Sequence, residues 1–128
     1  MGGKLKWISS GDNIVVGVNS ANHIYYRKGI TAATPTGTGW ERVTGGLVQI
    51  DVYNTDIWGV NTNDEIYQAA LEVEEGDVID PAGDSEDDSS TVVTGFSAWS
   101  EISGGLTRVS TGQFGVWGVN KNGNIYYR

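Results

Sequence analysis

Two tryptophans at matching points of the sequence have side chains suited to binding a ligand. Trp40 begins the segment Trp-Glu-Arg-Val, and Trp99 begins Trp-Ser-Glu-Ile. An indole offers a flat apolar face and one N–H donor, which suits stacking against the C–H face of a sugar ring. A tryptophan that begins a strand also serves to pack one strand layer on the next. The sequence leaves both interpretations open for Trp40 and Trp99.

A tyrosine–arginine pair occurs twice, as Tyr26-Arg27 and Tyr127-Arg128. Consecutive side chains of a strand point to opposite faces, so each tyrosine faces away from its arginine. One interpretation is a rim pair that ties neighbouring units together. The other is a polar–aromatic corner of a carbohydrate site, present at most twice because the middle copy of the pattern lacks the pair.

The sequence shows no pattern typical of catalysis. His23 is the single histidine, and no nucleophile and base are spaced around it. There is no cysteine, and no phosphate-binding loop, zinc-ligand spacing or Ser/His/Asp arrangement is present. We therefore expect a protein that is not an enzyme and has no cofactor. The absence of cysteine leaves both the extracellular and the cytoplasmic compartment open.

The elements that position these side chains come from a pattern that occurs three times. Its centre is Gly-Val-Asn, at Gly17, Gly59 and Gly118, and Ile-Tyr follows in each copy. Trp58 and Trp117 each lie 18 residues after the tryptophan that precedes their copy. The first two centres are 42 residues apart and the last two are 59 apart, so the second interval contains an insertion.

Each copy predicts four short strands. In the middle copy we expect them at 47–52, 57–60, 65–68 and 99–102. An Asn-rich turn lies between the second and third strands, and Asn and Asp accept the positive φ that such a turn needs. Four-stranded repeats of about 40–45 residues are typical of β-propeller blades. We therefore expect an all-β fold with three four-stranded blades, at about 4–43, 46–102 and 105–128, the last without its outer strand.

Net charge is concentrated in the insertion, at about residues 72–91. Of the 16 acidic residues, nine lie there, and no basic residue lies among them. The rest of the chain has seven acidic and eight basic residues, so its net charge is close to zero. A solvated loop fits this composition, although its oxygen ligands also suit a calcium ion. No basic patch indicates nucleic acid, and no apolar run reaches the roughly 18 residues of a membrane span.

The motifs resemble the tectonin repeat. They run Gly-x-Trp, Gly-Gly-Leu, Val-Trp-Gly-Val-Asn and Asn-Ile-Tyr-Tyr-Arg, with the third copy, from Trp99 to Arg128, as the best match. The resemblance implies a six-bladed propeller and carbohydrate binding in innate recognition, as in fish-egg, horseshoe-crab and fungal lectins. Some tectonin repeats belong instead to intracellular trafficking proteins. The resemblance therefore favours a multivalent lectin, with a non-catalytic interaction scaffold as the alternative.

Three blades do not close a propeller, which needs four to eight. The two end copies carry apolar residues at the same positions as the middle copy, such as Leu5 and Ile8. Closed symmetry covers two such faces at once. We therefore expect a homodimer that forms a six-bladed ring, with glycans as the other partner. The alternative is a longer natural protein of which this chain is one half.

Overall fold

The structure is a computed structural model that describes residues 2–75 and 91–128. In those residues the chain forms twelve β-strands and no helix. The fold is therefore all-β, as the sequence predicts.

The strands form three antiparallel sheets in chain order. The first sheet contains β1 (Trp7–Ser10), β2 (Val15–Val18), β3 (His23–Lys28) and β4 (Gly39–Gly46). The second contains β5 (Gln49–Tyr53), β6 (Asp56–Val60), β7 (Ile66–Glu75), β8 (Thr91–Phe96) and β9 (Ser100–Ile102). The third contains β10 (Arg108–Gly112), β11 (Gly115–Val119) and β12 (Ile125–Tyr127).

The same asparagine turn shapes all three sheets, between the second and third strands of each. Asn61 Oδ1 accepts the backbone N–H groups of Asn63 and Glu65, both at 3.0 Å. Asn19 and Asn120 form the same pair of bonds. The turn has one residue in the left-handed region in each copy: Asn22, Asp64 and Gly123. These local bonds explain why Asn recurs at this position.

The apolar core lies between the sheets. Ile24 from the first sheet and Ile50 and Ile57 from the second are fully buried in one cluster. A second, smaller cluster joins the second and third sheets around Val60 and Val109. Each sheet therefore buries an apolar face against the next one.

The innermost strands β1, β5 and β10 are also joined by side chains that bind the backbone of the next sheet. Gln49 is 2% exposed, and its amide donates to Val109 O and accepts from Val109 N, both at 2.8 Å. Asp51 accepts a hydrogen bond from Thr111 N at 2.7 Å. Ser9 donates to Asp51 at 2.8 Å and accepts from Val52 N at 3.3 Å. These bonds fix the register between neighbouring sheets.

The second sheet differs from the sequence prediction at its outer side. The third strand, expected at 65–68, extends from Ile66 to Glu75, where β8 pairs with it from Glu75↔Thr91 to Leu71↔Phe96. Glu72–Glu75 therefore lie in a β-ladder and not in a solvated loop. The β-branched residues of β8 and apolar positions such as Leu71 favour this hairpin over a loop. The rest of the acidic insertion, and with it the calcium site considered above, falls outside the described residues.

The two outward faces of the sheet stack expose side chains whose counterparts are buried. Ile8 is 61% exposed, whereas Ile50 at the same position of the next sheet is fully buried. At the other end Ile125 is 70% exposed, whereas Ile24 is fully buried. Trp117 and Tyr127, on the same sheet, are also more than half exposed. The sequence is apolar at these positions in all three copies, but a neighbouring sheet covers them only where the face lies inside the stack.

Glycine is required in the second strand of each sheet. A Cβ on Gly59 would lie 2.5 Å from Leu47 Cδ1 and 2.9 Å from Gln49 O, and Gly17 and Gly118 are enclosed in the same way. We expect Gly59→Ala to lower the free energy of unfolding by about 1–3 kcal/mol, because backbone and leucine must move to admit the methyl group.

Gly112→Ala is the matched control for this substitution. Gly112 also lies at a strand position, and a Cβ there meets nothing within 4 Å. Urea unfolding followed by far-UV circular dichroism measures both variants. Equal stability of the two variants would show that the enclosure of Gly59 has no energetic cost.

Candidate functional site

A groove of about 580 Å³ opens between the first two sheets. One wall is residues 41–45 of β4, and the other is residues 94–99, from β8 to the residue before β9. Tyr26 lies at its floor. The groove exists because β4 and β8 are the outer strands of sheets that meet at their apolar cores.

Trp99 forms the inner end of the groove. Its indole Nε1 donates to Thr44 O at 2.9 Å, so the ring is fixed across the junction of the two sheets. The Phe96 ring meets it edge to face, with centroids 5.8 Å apart. The indole is half-buried. Trp99 therefore packs the two sheets together and also lines the groove.

The Tyr26 side chain forms the floor of the groove but exposes no ring face on which a ligand could stack. It is only 4% exposed, and its ring lies 5.7 Å from the Phe96 ring. Burial raises the pKa of its hydroxyl, and the nearby Glu41 carboxylate adds to that effect, while Lys28 opposes it. The phenol therefore stays neutral at physiological pH, able to donate or accept a hydrogen bond but unsuited to general base chemistry.

Charged and hydroxyl groups surround the aromatic floor. Glu41 and Arg42 come from β4, and Glu41 also pairs with Lys28 at 3.2 Å. Thr94 and Ser97 lie on the opposite wall, and Thr94 Oγ1 donates to Glu72 O at 3.2 Å. An aromatic surface with a few polar groups around it is the composition of small-molecule sites.

Arg27 and Trp40 form a separate pair on the first sheet. The Arg27 guanidinium lies 5.2 Å from the centre of the Trp40 ring, a cation–π contact. Arg27 Nε donates to Thr36 O at 2.8 Å, and Trp40 Nε1 donates to Gly2 O at 3.0 Å. Both side chains are half-buried. The guanidinium therefore covers part of the indole face.

Tyr127 and Arg128 lie on the third sheet, and both are exposed. The Tyr127 hydroxyl donates to Phe114 O at 2.7 Å, and its ring lies 4.7 Å from that of Trp117. The backbone of Arg128 pairs with that of Val116.

The structure therefore places the six predicted residues at three separate locations. Tyr26 and Trp99 meet in the groove, Arg27 meets Trp40, and Tyr127 lies beside Arg128. Sequence reasoning missed the other side chains that line the groove, among them Phe96, Arg42 and Thr94. The signal for Phe96 was present, since Thr91–Phe96 is rich in β-branched residues and ends in an aromatic.

Residues 2–75 and 91–128 contain neither a cluster of metal ligands nor a helix that could span a membrane. None of their His, Asp and Glu side chains form a group of three that could hold a metal ion. No helix long and apolar enough to cross a membrane occurs among them.

Comparison with known solved structures supports the propeller architecture. The fold is similar to human WBSCR16, with a TM-score of 0.62 and 12% identity, over 99% of this chain and 33% of that one. It is also similar to Prp20p from Saccharomyces cerevisiae, with a TM-score of 0.59, over 96% of this chain and 32% of that one. Both are β-propeller proteins of the RCC1-like kind, and at this identity the likeness concerns the fold alone.

Three characterised proteins are similar in sequence. The fish-egg lectin of Cyprinus carpio is 30% identical over 127 residues, which cover 94% of this chain and 45% of that protein. Tectonin-1 of Physarum polycephalum is 33% identical over 90 residues, 68% of this chain and 30% of that one. The 31 kDa subunit of perivitellin-2 from Pomacea maculata is 35% identical over 65 residues, 51% of this chain and 23% of that one. The chain therefore spans less than half the length of these relatives.

The tectonin domain family matches residues 1–80 and 83–128, which is nearly the whole chain. The three copies of Gly-Val-Asn and Ile-Tyr, the all-β sheets and these relatives agree, and the chain belongs to the tectonin family.

Proposed function

We propose that this protein is a lectin that binds a glycan in the groove between the first two sheets, without catalysing a reaction. The observation that carries the proposal is the groove itself, where Trp99 and Phe96 present aromatic surface beside Glu41, Arg42 and Thr94. Sugar rings offer an apolar C–H face with hydroxyl groups around it. Aromatic contact and hydrogen bonding in one groove complement both parts.

The role of each groove residue follows from the hydrogen-bonding groups and the apolar surface that the fold leaves unused. The Trp99 N–H is engaged by Thr44 O, so the indole contributes its apolar surface only. Arg42 supplies hydrogen-bond donors for hydroxyl oxygens, and Glu41 accepts from hydroxyl protons. Tyr26 closes the floor. Arg27 with Trp40 is proposed as a further glycan contact. Tyr127 with Arg128 is proposed as another, in the form of the protein in which the outward face of the third sheet is uncovered.

Two relatives bear on the choice between a lectin and a scaffold. The lectin named among them aligns with 94% of this chain, which favours glycan binding. Tectonin-1 and the RCC1-like fold keep a non-catalytic interaction scaffold as the second candidate. Binding to a glycan separates the two, because a scaffold function does not require it.

We expect the purified chain to bind on a glycan array that includes microbial and methylated glycans. Arg42→Ala should weaken binding to the same glycan by about tenfold, because it removes charged donors from the groove. Lys121→Ala is the control, since Lys121 is an exposed cation in the turn between β11 and β12. It should leave binding unchanged.

A flat array with folded protein would contradict the lectin function and favour the scaffold. Equal loss of binding in both variants would show that net charge, and not the groove, determines recognition. Each single site is expected to be weak, so the array is best read with multivalent display, which raises the apparent affinity.

We further propose that the three sheets are three blades, at about 4–43, 46–102 and 105–128, and that a second copy completes a six-bladed ring. The exposed Ile8 face and the exposed Ile125 face support this, because their counterparts form the junctions between sheets. Joining the first sheet of each copy to the third sheet of the other covers both faces twice.

The hydrogen bonds between the inner strands follow the same direction from one sheet to the next. Ser9 accepts a hydrogen bond from Val52 N of the next sheet, and Asp51 accepts from Thr111 N of the one after. Ser110 holds the same position in β10. By the same geometry its hydroxyl would accept from the Ser10 N–H of a second copy. Ring closure therefore continues a bonding pattern that this chain already contains.

We expect light scattering coupled to size exclusion to give a mass near twice 13.7 kDa. Ile125→Lys should convert the dimer to a folded monomer, because it puts a charge into the junction while the side chain is exposed in the single chain. Val73→Lys is the control, since Val73 is 43% exposed on the β7–β8 hairpin. A stable wild-type monomer at micromolar concentration would refute the dimer, independently of glycan binding.

A further inference from the structure

A second concave space, of about 280 Å³, adjoins the groove at Trp99. Tyr67 and Trp99 provide its aromatic walls, and Asn61 provides a polar one. The rest of its lining is apolar or glycine, including Ile24, Gly45 and Leu47. These residues belong to the first and second sheets and to the segment between them, so the space, called here the Tyr67 cavity, lies inside the stack and does not depend on what covers its outward faces.

Two carboxylates converge on the hydroxyl of Tyr67. Glu101 lies directly opposite Tyr67 in the pairing of β9 with β7, so both side chains share one face of the sheet. Glu65 lies two positions before Tyr67. Burial is the main cause that raises the pKa of the Tyr67 hydroxyl, and the carboxylates of Glu65 and Glu101 raise it further. The phenol is therefore neutral, and the fixed charge beside it is negative.

The asparagine turn holds one of these carboxylates in place. Asn61 Nδ2 donates to Glu65 Oε1 at 2.8 Å, while Asn61 Oδ1 accepts the backbone N–H of Glu65 at 3.0 Å. The side chain of Glu65 is half-buried. A carboxylate that is already ordered loses less conformational freedom when a ligand binds.

No basic side chain of the protein neutralises the pair. Within residues 2–75 and 91–128, the one ion pair joins Lys28 to Glu41, and neither Glu65 nor Glu101 has a lysine or arginine partner. The segment 76–90 contains no lysine or arginine. The charge beside Tyr67 is therefore available to a cation from outside the chain.

The negative charge belongs to the middle copy alone. The first copy has His23 in place of Glu65, and Arg42, opposite its own tyrosine, in place of Glu101. The third copy has Asn124 in place of Glu65. All three copies form the same asparagine turn, so the turn does not require an acidic residue at this position. The two carboxylates therefore have no structural role that the repeat demands.

We propose that the Tyr67 cavity binds an amino sugar whose nitrogen carries no acetyl group, with the sugar ring against the aromatic walls and the ammonium group between Glu65 and Glu101. This inference rests on the proposed lectin function, because it names the class of sugar that the junction of the first two sheets selects. A primary ammonium has three N–H donors and no acceptor, which complements two carboxylates. The aromatic rings of Tyr67 and Trp99 also attract a cation that approaches their faces.

The carboxylates make the cavity selective for the charged amine. An N-acetyl group replaces the ammonium by a neutral amide with a single N–H, so the attraction to Glu65 and Glu101 is lost while the sugar ring is unchanged. A hydroxyl in the same place is also neutral. The order of preference is therefore the free amine first, with the N-acetylated and the hydroxyl forms well below it.

The probe is the glucosamine disaccharide obtained from chitosan, and the comparator is its N-acetylated form. Both are titrated into ¹⁵N-labelled full chain at about pH 6, where an amine is protonated and a carboxylate is ionised. We expect the glucosamine disaccharide to shift the Trp99 indole N–H and the backbone amides of 65–67 and Glu101. It should bind at least about fivefold more tightly than the N-acetylated disaccharide.

Glu101→Gln tests the location of binding. The side chain is exposed, and the substitution keeps its size while removing one charge, so the fold should be retained and the glucosamine disaccharide should bind several-fold more weakly. Glu74→Gln is the matched control, since Glu74 is also an exposed carboxylate of the second sheet but lies on the β7–β8 hairpin. It changes the net charge by the same amount and should leave binding unchanged.

Three results would overturn the inference. The first is equal affinity for the two disaccharides, the second is equal loss of binding in both variants, and the third is a set of shifts confined to residues outside the Tyr67 cavity. None of the three decides whether the protein is a lectin, because the glycan array measures binding in the groove independently of the amine.

Discussion

Burial of each sheet's apolar face against the next sheet is the constraint on which this structure depends. A single sheet of three to five short strands has no core of its own, so Ile24, Ile50 and Ile57 become buried only where two sheets meet. Stability in such an array resides in the junctions between neighbours. The same constraint explains why identical sequence positions, such as Ile8 and Ile50, differ so strongly in exposure.

Specificity in the junctions comes from side chains that bind backbone atoms across them. Apolar packing alone would tolerate a slip of one sheet against the next, but Gln49 and Asp51 each bind defined N–H or C=O groups of β10. The indole of Trp99 does the same on the outer side. Gln49 therefore fixes the second sheet to the third, and the Trp99 indole fixes the second sheet to the first.

The candidate binding surfaces arise from these junctions. Each of the two junctions leaves a concave space between its sheets. In the first junction this space contains Tyr26, Phe96 and Trp99, and in the second it contains the Ser103–Gly104 turn. The side chains that pack the sheets also line the candidate groove, which is why sequence alone could not choose between a packing role and a binding role for a tryptophan such as Trp99.

The sequence by itself determined the local structure. The recurrence of Gly-Val-Asn and Ile-Tyr predicted the strands, and the asparagine turn followed from side-chain bonds within four residues. Tertiary structure decided what depends on distant contacts. The pairing of Glu72–Glu75 with β8 spans the acidic insertion, and the meeting of Tyr26 with Phe96 joins residues 70 positions apart. Periodicity reports which face of a strand is apolar, but only the assembled sheets determine which neighbour covers that face and which side chains meet in the groove.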